Sequence, residues 1–106
     1  MGCKQMMERM TFIMCGDDLC RVDISEDENG YKTITVDLHG FRKRNAERVI
    51  NNIISMYRFP FKLALIHGYN HGTVLKELIW NEYENTRIID KETPVTNWGI
   101  TYLSIN

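Results

Sequence analysis

From Thr33 to His39 every second residue is apolar, with Ile34, Val36 and Leu38 alternating with Thr33, Thr35, Asp37 and His39. A period of two predicts a strand, running from Tyr31 to His39, with one buried face. Past Gly40 the period lengthens: Ala46, Val49, Ile50, Ile53, Ile54 and Tyr57 recur at intervals of three and four. That spacing predicts an amphipathic helix laid on the sheet. Phe59-Pro60 ends it, because proline lacks an N–H and restrains the residue before it. Phe61 to Ile66 is almost wholly apolar and reads as a central strand buried on both faces. After the loop His67 to Gly72, a second helix is expected from about Thr73 to Tyr83, with Val74, Leu75, Leu78 and Ile79 inward and Thr73 placed to cap it. Two short strands close the pattern, about Thr86 to Asp90 and Ile100 to Ile105, separated by a loop holding Pro94 and Gly99.

Upstream, Met10 to Cys15, then Gly16-Asp17-Asp18, then Leu19 to Ile24 read as a hairpin. Glu26-Asp27-Glu28 followed by Asn29-Gly30 supplies the turn into the next strand. The whole is an α+β chain, a two-layer α/β sandwich with a β-α-β-α-β-β core. Residues 1–30 are read as an N-terminal hairpin extension and residues 31–106 as one compact unit, with no internal repeat.

Composition narrows the partners. A chain of 106 residues with 43% hydrophobic positions and a net charge of −1 suits one soluble domain that does not coat nucleic acid by bulk attraction. Any nucleic-acid contact is therefore local. Cys3, Cys15 and Cys20 form no C-x-x-C pair and are odd in number, so they are read as reduced thiols, with no ligand pair at zinc-finger spacing. No run approaches the ~20 apolar residues of a membrane span, and no signal-peptide run opens the chain, so a cytoplasmic protein without a membrane partner is expected. Met1-Gly2-Cys3 begins like an acylated terminus, but Met6 stands where the myristoylation pattern has Ser or Thr.

The chemistry gathers at strand ends. A strand-helix-strand unit joins parallel strands by a right-handed crossover, so His39 and His67 finish at one sheet edge, with Asp37 on the face of His39. Helix N-termini open at the same edge and attract anions, and ligands of open α/β sheets bind there. Gly68 and Gly72 let a phosphate approach, although they form neither a P-loop nor a G-x-G-x-x-G pattern.

Three segments at these positions resemble one family. Val36-Asp37-Leu38-His39-Gly40 is similar to the LDLHG motif of the small MutS-related (Smr) domain. Ile66 to Lys76 resembles its HGxGxGxLR loop and helix start, and Trp98 to Leu103 its final glycine-containing strand. The resemblance runs from about Thr33 to Asn106. It implies a fold like the C-terminal domain of translation initiation factor 3 and an endonuclease that nicks DNA or cleaves RNA, with Asp37, His39 and His67 at the active positions. The chain departs from the family at Asn45, where glutamate is frequent, at Asn70, in place of the central glycine, and at Lys76, in place of arginine. Lysine forgoes bidentate phosphate recognition, and asparagine tolerates left-handed backbone better than most residues.

The expected reaction is phosphodiester cleavage in RNA or in structured or branched DNA. One histidine takes a proton from the attacking hydroxyl and the other assists the leaving oxygen, while Asp37 orients His39 or favours its protonated form. Gly68, Tyr69, Asn70, Gly72 and Lys76 are expected on the phosphate, with Arg42, Lys43 and Arg44, and Arg48 a turn onward, along the nucleic-acid backbone. Tyr69 is a candidate for base stacking, His71 lies outside the catalytic set, and Trp80 and Trp98 are assigned to packing. No cofactor or metal is required if RNA supplies its own 2′-hydroxyl; magnesium on Asp37 would serve a DNA substrate. The alternatives are a nucleic-acid-binding module without turnover and a protein-interaction domain whose N-terminal strands pair with a partner or with a second copy.

Overall fold

The computed structural model describes residues 2–14, 16–68 and 73–106. Among them the chain forms a five-stranded mixed sheet with strand order β1-β2-β3-β5-β4 and helices packed on it. The strands are β1 (Val22–Glu26), β2 (Lys32–Asp37), β3 (Phe61–Ile66), β4 (Ile88–Glu92) and β5 (Ile100–Ile105). From β2 onward the order is the expected β-α-β-α-β-β.

β2 and β3 run parallel, with Ile34 opposite Leu63 and Asp37 opposite Ile66. They are joined by α2 (Lys43–Met56), which buries Ala46, Val49, Ile50, Ile53 and Ile54 as its spacing predicts. The other pairings are antiparallel. Ile34, Val36, Leu63, Leu65, Leu103 and Ile105 share a single apolar core with the buried residues of the helices. The opposite sheet face, which carries Thr33, Thr35, Asp37, Lys62, Tyr102 and Ser104, is half-exposed. Together these form two layers, with the helices over one face.

The N-terminal hairpin expected over Met10–Cys15 and Leu19–Ile24 is not formed. Instead Cys3–Met10 is a helix, α1, and a 3₁₀ turn over Gly16–Arg21 leads into β1; Cys15 lies outside the described residues. Met6 and Met10, four residues apart, are both fully buried, and the Tyr57 hydroxyl donates to the Met6 carbonyl at 2.5 Å. Lys, Gln, Met, Glu and Arg in this segment all favour helix over strand. The hairpin that exists is β1-β2, closed by Asp27, whose carboxylate accepts the N–H groups of Asn29 and Tyr31. Of the expected N-terminal strands only the second has a counterpart among the described residues, β1, which forms one edge of the sheet, with β4 at the other.

The second helix also differs. Only Val74–Glu77, α3, is α-helical, and Leu78–Glu82 widens into a π turn closed by the Tyr83 N–H on the Leu78 carbonyl at 2.7 Å. Lys91, reaching over from β4, donates to the Ile79 and Trp80 carbonyls, which satisfies groups the wider turn releases. Val74 is exposed rather than inward, and the Thr73 hydroxyl bonds the Glu77 carboxylate instead of capping the backbone. No helix is long and apolar enough to cross a membrane among the described residues.

Candidate functional site

Both histidines leave the sheet at one edge by the same local device. Each is followed by a glycine in the left-handed region, Gly40 at φ 82° and Gly68 at φ 75°, which turns the chain sharply off the strand end. The Leu38 N–H donates to the Ile66 carbonyl at 2.8 Å, so the parallel pairing continues past Asp37 and holds the two His-Gly turns side by side. A Cβ added to Gly68 would lie 3.6 Å from His39 Nδ1. That is ordinary contact, so the backbone angle, not space, demands glycine at position 68.

The two imidazoles occupy different environments. His39 is exposed, and its backbone N–H donates to Asp37 Oδ1 at 2.9 Å. Asp37 thus fixes the turn that carries the ring. Arg21 supports the same turn: its Nη1 donates to the carbonyls of His39 (2.7 Å) and Asp37 (3.4 Å), and its guanidinium lies 4.9 Å from the centre of the Phe41 ring. Sequence reasoning missed Arg21, because the segment was read as part of a hairpin strand and no spacing ties it to His39.

His67 is buried, with 7% of its surface exposed, and both ring nitrogens are engaged. Nδ1 is 2.8 Å from the Gly68 carbonyl, which only accepts, so Nδ1 carries the proton. Nε2 then accepts from the Thr101 hydroxyl at 2.9 Å, and Thr101 Oγ1 in turn accepts the Trp80 indole N–H at 3.0 Å. Burial lowers the His67 pKa; the bond to Gly68 opposes this, and the Lys76 charge adds to the lowering. His67 is a neutral, fixed ring at neutral pH. Of the pair expected to act together, the structure makes His39 the accessible one and His67 a member of a buried chain from Trp80 to Gly68.

The surroundings sort the remaining candidates. Lys76, half-exposed on α3, is near enough for its charge to act on His67. The Gly68 N–H, expected to face a phosphate, donates to the Gly99 carbonyl at 3.0 Å, alongside the His67 N–H at 2.9 Å. Gly68 therefore shapes the turn rather than supplying an amide. Tyr69, Asn70, His71 and Gly72 lie outside the described residues. Arg42 and Arg44 are exposed at the start of α2, whose first turn holds no acidic residue. Lys43, expected on a nucleic-acid backbone, forms an ion pair with Glu82. Arg48 donates to Asn45 Oδ1 at 3.2 Å. Trp80 packs against the core as assigned, whereas Trp98 does not: 68% of it is exposed.

Among the described residues no three His, Cys, Asp or Glu side chains converge to hold a metal ion. Asp37 brings one carboxylate, one of whose oxygens accepts the His39 N–H; magnesium bound there would complete its shell with water and substrate phosphate oxygens. Cys3 and Cys20 are not joined by a disulfide. No family model, no curated protein and no solved structure matches the chain.

Proposed function

We propose that this chain cleaves phosphodiester bonds in nucleic acid, with RNA as the favoured substrate and His39 as the acid–base group, in the manner implied by its Smr-like motifs. On this reading the β-α-β-α-β-β unit is an Smr-type fold, akin to the C-terminal domain of translation initiation factor 3. The observation that carries the proposal is the approach of the exposed His39 ring to Gly68 at the shared edge of β2 and β3, next to His67, on which the Lys76 charge acts. Imidazole exchanges protons near neutral pH, and a neighbouring cation stabilises charge developing on phosphate.

The reaction follows from those groups. His39 takes the proton of a 2′-hydroxyl, O2′ forms a bond to phosphorus, and the bond from phosphorus to O5′ breaks, leaving a 2′,3′-cyclic phosphate. The leaving oxygen receives a proton from the imidazolium or from water. Asp37, Arg21 and the His67 chain hold the two turns at fixed separation, a positioning role, since small misplacements are costly to catalysis. An internal nucleophile suits a site with one accessible imidazole and one partly engaged carboxylate.

A second reading, binding without turnover, is favoured by one specific observation: both ring nitrogens of His67 are taken up by the protein, so the second acid–base group is withheld from substrate. The test compares wild type with His39→Ala and His67→Ala on labelled single-stranded RNA, duplex DNA and branched DNA, with folding followed in parallel. Cleavage of RNA to 2′,3′-cyclic ends, lowered about 10²–10⁴-fold in His39→Ala while binding persists, is the expected result. Wild-type binding without turnover supports the second reading. A wild type that neither binds nor cleaves any of the three refutes both.

A further inference from the structure

Resting on the nucleic-acid reading above, we infer that Trp98 is the platform on which a base about two to three nucleotides from the reacting phosphate stacks, so that the chain engages single-stranded nucleic acid. Tryptophan is highly buried on average, yet the Trp98 side chain stands in solvent together with Val95, which is 91% exposed. The loop bearing them is internally tied. The Asn97 N–H donates to the Pro94 carbonyl at 3.2 Å, and the Gly99 N–H donates to Asn97 Oδ1 at 2.9 Å. Exposure here belongs to a defined turn between β4 and β5.

That turn belongs to the candidate site. Gly99, the next residue after Trp98, accepts the His67 and Gly68 N–H groups. Covalent geometry then puts the Trp98 Cα within about 9 Å of the Gly68 nitrogen. This is two to three steps of a strand at its stacked repeat of ~3.4 Å. A strand with one phosphate beside His39 therefore has a base about two to three nucleotides along within reach of the indole.

Size separates a base from a protein partner. Val95, Thr96, Asn97 and Trp98 frame a shallow concavity of about 330 Å³, which accommodates a single planar ring. A stable protein interface buries on the order of 800 Å² on each side, far beyond one tryptophan and one valine. Aromatic platforms are the means by which single strands are held without sequence preference, because every base presents a π-face.

The test uses the full chain and a mixed-sequence 12-nucleotide single-stranded RNA, its DNA counterpart and a duplex of the same sequence. Binding is read by anisotropy and by tryptophan emission, with Trp98→Phe identifying the Trp98 signal by difference. The expected results are quenching of Trp98 emission along the binding curve, a Kd raised about 5- to 100-fold in Trp98→Ala, and near-retention in Trp98→Phe. Moving an abasic nucleotide along the RNA should find one position that weakens wild type by a similar factor and adds little in Trp98→Ala. Wild-type affinity in Trp98→Ala, or tighter binding of the duplex than of the single strand, overturns the inference and leaves the cleavage reading standing. Absence of binding to every probe overturns both.

Discussion

Replacing Thr101 by valine keeps the shape of a side chain that is fully buried and removes its hydroxyl. Two hydrogen bonds are lost, the one donated to His67 Nε2 and the one accepted from the Trp80 indole N–H. The two orphaned groups are not equivalent. Trp80 is half-exposed and recovers part of its bonding from water, whereas His67 is buried and its ring is held by Gly68 at the other nitrogen. An unsatisfied buried acceptor costs about 1–3 kcal/mol, and the added methyl returns up to about 1 kcal/mol of burial. A net loss of about 1–2 kcal/mol is expected, which for a domain of this size lowers Tm by roughly 5–10 °C. Urea denaturation at pH 7.5 gives the free energy, and ¹⁵N shifts of the His67 ring report the tautomer, which should be Nδ1–H in wild type. Thr101→Ser should keep the ring bonding and cost only about 1 kcal/mol for the missing methyl. A valine variant within about 0.5 kcal/mol of wild type, or a wild-type His67 protonated at Nε2 alone, would refute the buried chain as described.

Other outcomes follow from the same structure. Because the His67 pKa is lowered in the folded chain, its contribution is present above about pH 6.5 and lost as pH falls through the folded value; stability should therefore decline on acidification by no more than about 1.4 kcal/mol per pH unit, and less in His67→Gln. Burial raises the Tyr57 pKa to about 12, so the stability it confers is full below about pH 10 and lost as pH rises toward 12. Tyr57→Phe should flatten that alkaline loss and cost about 1 kcal/mol at neutral pH through the Met6 carbonyl, measured by denaturant titration. Arg87 donates to the carbonyls of Ile54, Tyr57, Phe59 and Asn106, tying the end of α2 to the chain terminus. Arg87→Met should cost about 2–4 kcal/mol, and Arg87→Lys should recover only part, since an ammonium lacks the planar fork.

What the sequence by itself determined is the part carried by short-range periodicity. Alternation from Thr33 to Leu38 and the helical stripe from Ala46 to Ile54 each state which side faces inward, the apolar run Phe61 to Ile66 marks a central strand although Lys62 and Ile66 are half-exposed rather than buried, and a parallel crossover then brings His39 and His67 to one edge. The first twenty residues lacked such a signal. Their apolar positions suit a strand or a helix, and docking of Met6 and Met10 into the core, with Tyr57 on the Met6 carbonyl, selected the helix. Tertiary structure alone distinguished the histidines, which look equivalent along the chain. Thr101, 34 residues beyond His67, and the Gly99 carbonyl close over that ring and its turn, while His39 opens to solvent on a turn braced by Arg21. The exposure of Trp98 was likewise settled by where the turn into β5 runs. Burial and hydrogen-bond partners are properties of the assembled sheet, because they depend on residues far apart in sequence that become neighbours only when the strands pair.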